Sequence, residues 1–205
     1  MIRRSVATLF LLSPARAGGP RAQQLARSKT ELGAKLRAGT APLGDVFAWL
    51  SALYFRGKLA YARAFADPSP GTEGALVMAP GLGLRPPHAP ISAAMLEAMG
   101  EIAVESEAFV TAVRRDAQRA NAEARADMRV VLLGSIATGK YVDTLIDVFG
   151  GRLLFPASFV GRGDMSRGGL MLRAARSGNE LDYAMVAGAV RRGTRPPKLD
   201  KLPHR

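Results

Sequence analysis

The sequence predicts an α/β protein, a three-layer sandwich built on about five mostly parallel strands. Three observations carry this. Short, unbroken apolar runs recur along the chain, as in strands buried on both faces of a parallel sheet. Stretches of helical periodicity separate them. Gly and Pro punctuate most of the junctions. The 205 residues are 48% hydrophobic and 22% charged, which suits a chain with a packed core.

The first run, Val6-Ala7-Thr8-Leu9-Phe10-Leu11-Leu12, reads as a buried strand stopped by Ser13-Pro14. The same region imitates a secretory signal. Met1-Ile2-Arg3-Arg4 is basic, and Ala15-Arg16-Ala17 has small residues at a cleavage-like spacing. The apolar stretch sits at the lower limit for such a signal, so a strand is expected. Gly19-Pro20 opens a polar helical stretch to Leu36. Residues 43–66 give the clearest helix: Leu43, Val46, Phe47, Leu50, Leu53, Tyr54, Tyr61 and Phe65 recur every three or four positions. Gly57 falls inside it and predicts a kink or a division there.

A second strand is expected over 75–79, followed by a Pro/Gly-rich loop over 80–90. Ser92 reads as the cap of a helix over 93–99. A long helix is expected over 105–124 and a strand over 128–133. A helix over 140–149 and a strand over 152–155 follow. A helix over 165–176, ended by Gly178, and a partly alternating strand over 181–187 complete the pattern. One α/β domain is expected over 1–188, with a basic, flexible tail over 189–205.

Composition excludes several classes of function. The chain has no cysteine, so disulfides, thiolate metal sites and a cysteine nucleophile are ruled out. Two histidines, His88 and His204, cannot build a histidine-rich metal centre, and a metal-independent protein without a cofactor is expected. No apolar run approaches the ~18 residues of a membrane helix, and a cytoplasmic location is expected. The formal net charge is +12, and it is uneven. Residues 1–40 carry eight basic groups and one acidic; residues 189–205 carry six and one. Such cationic ends attract polyanions by counterion release, although an arginine-rich surface without a partner would look the same.

Ligands of parallel sheets bind beyond the carboxyl ends of the strands, which gathers 13–16, 80–84, 134–140 and 156–167 into one region. The sharpest motif there is Gly134-Ser135-Ile136-Ala137-Thr138-Gly139-Lys140. It has the G-x-x-x-x-G-K spacing of a phosphate-binding loop, where backbone N–H groups and a lysine meet an anion. Tyr141 stands where a magnesium-holding Ser or Thr belongs, so phosphate binding without metal is the reading. A simple strand-to-helix turn is the alternative. In the segment 155–169, Arg162, Gly163, Ser166 and Arg167 would add anion contacts. Asp164 would cap a helix, or act as a proton carrier or ribose ligand. His88, in the loop Arg85-Pro86-Pro87-His88, is the other candidate acid or base. Arg16, Arg56 and Lys58 are candidate nucleic-acid contacts; in Tyr54-Phe55-Arg56-Gly57-Lys58 the cations lie beside aromatics that would stack on bases. A plain core helix with a cationic rim is the alternative.

At Leu11-Leu12-Ser13-Pro14, Phe55-Arg56-Gly57-Lys58-Leu59-Ala60-Tyr61-Ala62, Val77-Met78-Ala79-Pro80-Gly81-Leu82-Gly83-Leu84 and Leu132-Leu133-Gly134 the chain resembles a small uncharacterised bacterial α/β family. More loosely, it is similar to domains of the uracil-DNA-glycosylase-like superfamily and to a bacterial DNA-binding stress protein family. That resemblance implies a three-layer sandwich and work on nucleic acid or nucleobases. The superfamily's acidic water-activating motif is replaced here by Ser13-Pro14-Ala15-Arg16, and its late histidine motif by Phe155-Pro156-Ala157-Ser158. The sequence thus points first to a nucleic-acid- or nucleotide-phosphate-binding protein. An enzyme acting on a nucleotide or nucleobase in the same crevice is the second reading, and a structural or partner-binding protein the third.

Overall fold

A computed structural model describes residues 6–199 apart from 69, 138 and 140. Eight strands and eight α-helices alternate in it. β1 (Thr8–Leu12) leads through α1 (Pro20–Arg27), α2 (Glu31–Ala38), β2 (Ala41–Pro42), α3 (Leu43–Ser51) and α4 (Leu53–Phe65) to β3 (Ala75–Ala79). β4 (Gly83–Arg85), β5 (Pro90–Ile91), α5 (Ala93–Gly100) and α6 (Glu107–Glu123) lead to β6 (Arg129–Leu133). The chain closes with α7 (Val142–Phe149), β7 (Leu153–Pro156), α8 (Asp164–Ser177) and β8 (Tyr183–Met185).

One six-stranded sheet has the order β4-β3-β1-β6-β7-β8. The pairs β3–β1, β1–β6 and β6–β7 are parallel, and the edge strands β4 and β8 pair antiparallel. The expected α/β class is therefore what the chain forms. The third strand pairing lies hidden in the Pro/Gly-rich loop: β4 returns along β3 through a tight turn in which Gly81 and Gly83 have φ of 76° and 84°. β2 and β5 form a separate two-residue ladder.

The connection from β1 runs towards β3, whereas that from β6 runs towards β7. Right-handed crossovers in opposite directions place their helices on opposite faces of the sheet. Helix contacts agree: α4 packs on α8, and α6 packs on α7. β1 is buried along its whole length, with Phe10, Leu11 and Leu12 fully inaccessible.

Three local departures have plain causes. The first long helical stretch is two helices, because the Thr30 hydroxyl accepts from Gly33 N–H and starts α2 afresh. The 43–66 stretch divides at Ala52, which has a φ of 45°, and not at Gly57. Gly57 instead permits a close approach. A Cβ there would meet Gly168 O at 2.6 Å, and a Cβ on Gly168 would meet Leu53 O at 2.6 Å. Beyond β8, the coil up to residue 199 is tied to the body. Arg191 pairs with Asp143 at 2.6 Å, and Arg162 donates to Pro197 O at 3.2 Å.

Asp116 of α6 holds the β3–β4 hairpin. Its buried carboxylate accepts from Leu84 N–H at 3.0 Å, Arg85 at 2.9 Å and Arg115 at 2.7 Å. Asp116→Ala strands the Leu84 N–H in the interior, and a loss of about 2–3 kcal/mol is expected in chemical denaturation. Across the sheet, Tyr61 of α4 ties down the far edge. Its hydroxyl accepts from Leu181 N–H at 2.8 Å and lies 2.7 Å from that of Tyr183. Tyr183 in turn donates to Glu180 at 2.8 Å. Tyr61→Phe breaks this chain, and amide exchange is expected to speed up in β8 while leaving β1 protected.

Candidate functional site

In a doubly wound sheet, the crevice opens where neighbouring strands send their connections in opposite directions. Here that point lies between β1 and β6. Ser13 follows β1 directly, and Gly134-Ser135 follow β6. A cleft of about 780 Å³ opens there, lined by Ser13–Gly19, Ser51, Tyr54, Pro80, residues 99–102, Val104, Ser135, Tyr141 and Asp164. That volume is in the range of small-molecule sites.

Ser13 lines the cleft, and behind Ser13 lies a partner that the sequence did not reveal. Lys58 of α4 is fully buried, 1% exposed. Its Nζ lies 2.6 Å from Ser13 Oγ and 2.9 Å from Ser13 O. Helical spacing places Tyr54 and Lys58 on one face of α4, and Nζ sits 3.9 Å from the Tyr54 ring centroid. Burial pulls the Lys58 ammonium down to about 7; Asp164 opposes this and Arg167 adds to it, both from α8. Near neutrality the amine is therefore available as a base. In the amine form its lone pair can take the Ser13 hydroxyl proton along the same 2.6 Å contact. Ser13 Oγ also lies 3.4 Å from Leu133 O and beside the Tyr141 phenol.

Two tyrosines stand near the pair, Tyr141 beside Ser13 and Tyr54 against Lys58. A Cβ on Gly134 would fall 2.9 Å from both Ser13 Cβ and Tyr141 Oη, so the missing side chain lets Tyr141 lie against the serine. Burial raises the Tyr141 phenol, partly offset by its hydrogen bonding to Ser13 and to Ser135 N–H. Tyr54 lines the cleft, and its buried hydroxyl makes no hydrogen bond of ordinary geometry among the described residues. Burial also raises its phenol, despite the nearby Arg167 guanidinium.

The structure brings some predicted residues to this cleft and leaves others away from it. Asp164 and Ser135 line it, as does exposed Arg16. Asp164 is not the cap of α8: Gly163 holds that place, and Asp164 begins the first turn with no capping bond. Its carboxylate lies 3.6 Å from Arg167. Arg167 is buried and donates to Phe159 O at 3.2 Å, so it supports the floor rather than meeting solvent. Arg162 is spent on Ser158 O and Ser166 Oγ, both at 3.1 Å. Gly139 packs by Asp143. Thr138 and Lys140 lie outside the described residues. His88 is exposed, pairs with Glu73 at 3.7 Å, and does not line the cleft. Arg56 is exposed on α4. Lys58 is no nucleic-acid contact, because its Nζ is sealed inside against Ser13.

Among the described residues, no group of three or more His, Asp or Glu side chains is placed to hold a metal, and no helix is long and apolar enough to cross a membrane. The fold and the cleft together define a doubly wound α/β protein with a buried serine–lysine pair at its switch point. No family model, curated protein or solved structure matches the chain.

Proposed function

We propose that the protein is a hydrolase in which Ser13 is the nucleophile and Lys58 its general base. The observation that carries this is the 2.6 Å contact between buried Lys58 Nζ and the Oγ of Ser13, which lines the cleft. Serine is a weak nucleophile until a neighbouring base takes its proton. In the first step the Ser13 O–H bond breaks, its proton passes to the neutral Lys58 amine, and Oγ bonds to the electrophilic carbon. The resulting ammonium then returns the proton to the leaving group as that bond breaks. Water, activated by the same amine, releases the product from Ser13.

The groups facing Lys58 are Ser13 just after β1, Tyr54 from its own helix, and Asp164 and Arg167 from α8. Because the base must be unprotonated, activity should climb with pH and level off above about 7. The test is hydrolysis of p-nitrophenyl acetate by the parent and by Ser13→Ala. Turnover that depends on Ser13 and rises through that pH supports the reading, and turnover indifferent to Ser13 removes it.

Binding of a nucleotide phosphate or of nucleic acid is the second reading. Exposed Arg16 on the cleft wall and the net charge of +12 favour it. It predicts binding to single-stranded DNA or RNA that weakens steeply as salt rises. Absence of binding near 50 mM salt ends that reading.

A further inference from the structure

We infer that the cleft takes an uncharged carboxylic ester or amide, whose carbonyl oxygen is received by the Tyr54 hydroxyl. This rests on Ser13 being the nucleophile. Three observations lead to it. First, the Tyr54 hydroxyl is buried beside the Arg167 guanidinium, which can only donate to it, and among the described residues its own O–H finds no acceptor. Such groups are costly to leave unpaired, and a catalytic role is one of the explanations for them. Second, the same ring lies against Lys58 Nζ, which itself touches Ser13 Oγ. Tyr54 and the nucleophile therefore face one small volume. Third, the charged side chains lining the cleft among the described residues are Arg16, Glu101 and Asp164. Their balance is negative, and Arg167 is turned inward to Phe159 O. Such a wall repels a phosphate dianion and tolerates a neutral carbonyl compound. Met99, Ile102, Val104 and Pro80 also line the cleft and give it apolar surface that suits an acyl chain.

As Ser13 Oγ bonds to the carbonyl carbon, the π pair moves to the carbonyl oxygen, and the negative charge develops on the atom that the Tyr54 hydroxyl receives in this inference. Burial keeps the phenol protonated and so a donor. A hydrogen bond that strengthens as charge develops lowers the barrier more than it tightens binding.

The experiment compares parent, Tyr54→Phe and Ser13→Ala with p-nitrophenyl acetate, p-nitrophenyl butyrate and p-nitrophenyl phosphate, and records thermal unfolding of each. The expected result is ester turnover exceeding phosphate turnover, with kcat of Tyr54→Phe down about 100-fold and KM little changed, the usual size for loss of one oxyanion donor. The Tm of Tyr54→Phe should equal or exceed that of the parent, because the O–H has no acceptor to lose. Unchanged kcat in Tyr54→Phe, faster turnover of the phosphate, or a lowered Tm with an unchanged kcat overturns the inference while Ser13 dependence still stands. Equal ester turnover in Ser13→Ala instead overturns the nucleophile reading beneath it.

Discussion

Replacing Lys58 with methionine should lower kcat/KM for p-nitrophenyl butyrate by about 10³-fold or more, the scale seen when a base is removed from an activated serine. Methionine keeps the length and the apolar stem, so the side chain at 58 keeps its packing against the Tyr54 and Phe55 rings. What is lost is the proton acceptor 2.6 Å from Ser13 Oγ. The rise of activity through about pH 7 should vanish with it. A second readout follows from the same burial. The amine holds its proton up to pH 10.5 in the unfolded chain but only to about 7 in the folded one. Between those values the unfolded state binds the extra proton, so folding is favoured as pH rises. Relative to Lys58→Met, the parent should therefore gain stability across this window by about 1.4 kcal/mol per pH unit, and the difference should flatten below pH 7. Matched denaturation series at several pH values measure this.

Gly168→Ala should cost about 3 kcal/mol or more, the upper end for overpacking, because the new methyl meets backbone rather than a yielding side chain. Its Cβ would lie 2.6 Å from Leu53 O and 2.8 Å from Tyr54 Cα. Gly57→Ala meets Gly168 O at 2.6 Å from the other side and should cost as much. Both changes push α4 and α8 apart. They therefore displace Tyr54, Lys58 and Arg167 together, and ester turnover should fall even at temperatures where the variant stays folded. Urea denaturation and turnover of Gly168→Ala check both parts. A Gly139→Ala control, with the methyl meeting the ends of the Asp143 side chain at 2.6 Å and of the Arg191 side chain at 3.9 Å rather than backbone, should lose less.

The parallel strands were legible because each is a short apolar run ended by Ser-Pro, Gly or Pro. β1, β3, β6 and β7 carry that pattern. β4 was not legible, since three residues inside a Pro/Gly-rich loop leave no periodicity to read. The division at Ala52 was missed for a different reason. A left-handed alanine has no sequence signature, whereas Gly57 has one and serves another purpose. The region of the site was foreseen from the strand ends, and Ser135, Asp164 and Arg16 do line the cleft. The pair at its centre was not. Ser13 looked like a strand stop. Lys58 looked like a cation beside aromatics on a surface. The available signal was helical phase: Tyr54, Lys58, Tyr61 and Phe65 share one stripe of α4. A lysine on that stripe must be buried and must therefore find a partner.

The most direct test is covalent. The parent protein is treated with a fluorophosphonate reagent across pH 5–9, and the modified residue is mapped by peptide mass spectrometry. The account predicts one adduct, on Ser13, with a labelling rate that rises through about pH 7 and is lost in Lys58→Met. Absence of an adduct on Ser13, or labelling of Ser13 at the same rate in parent and Lys58→Met, would contradict it.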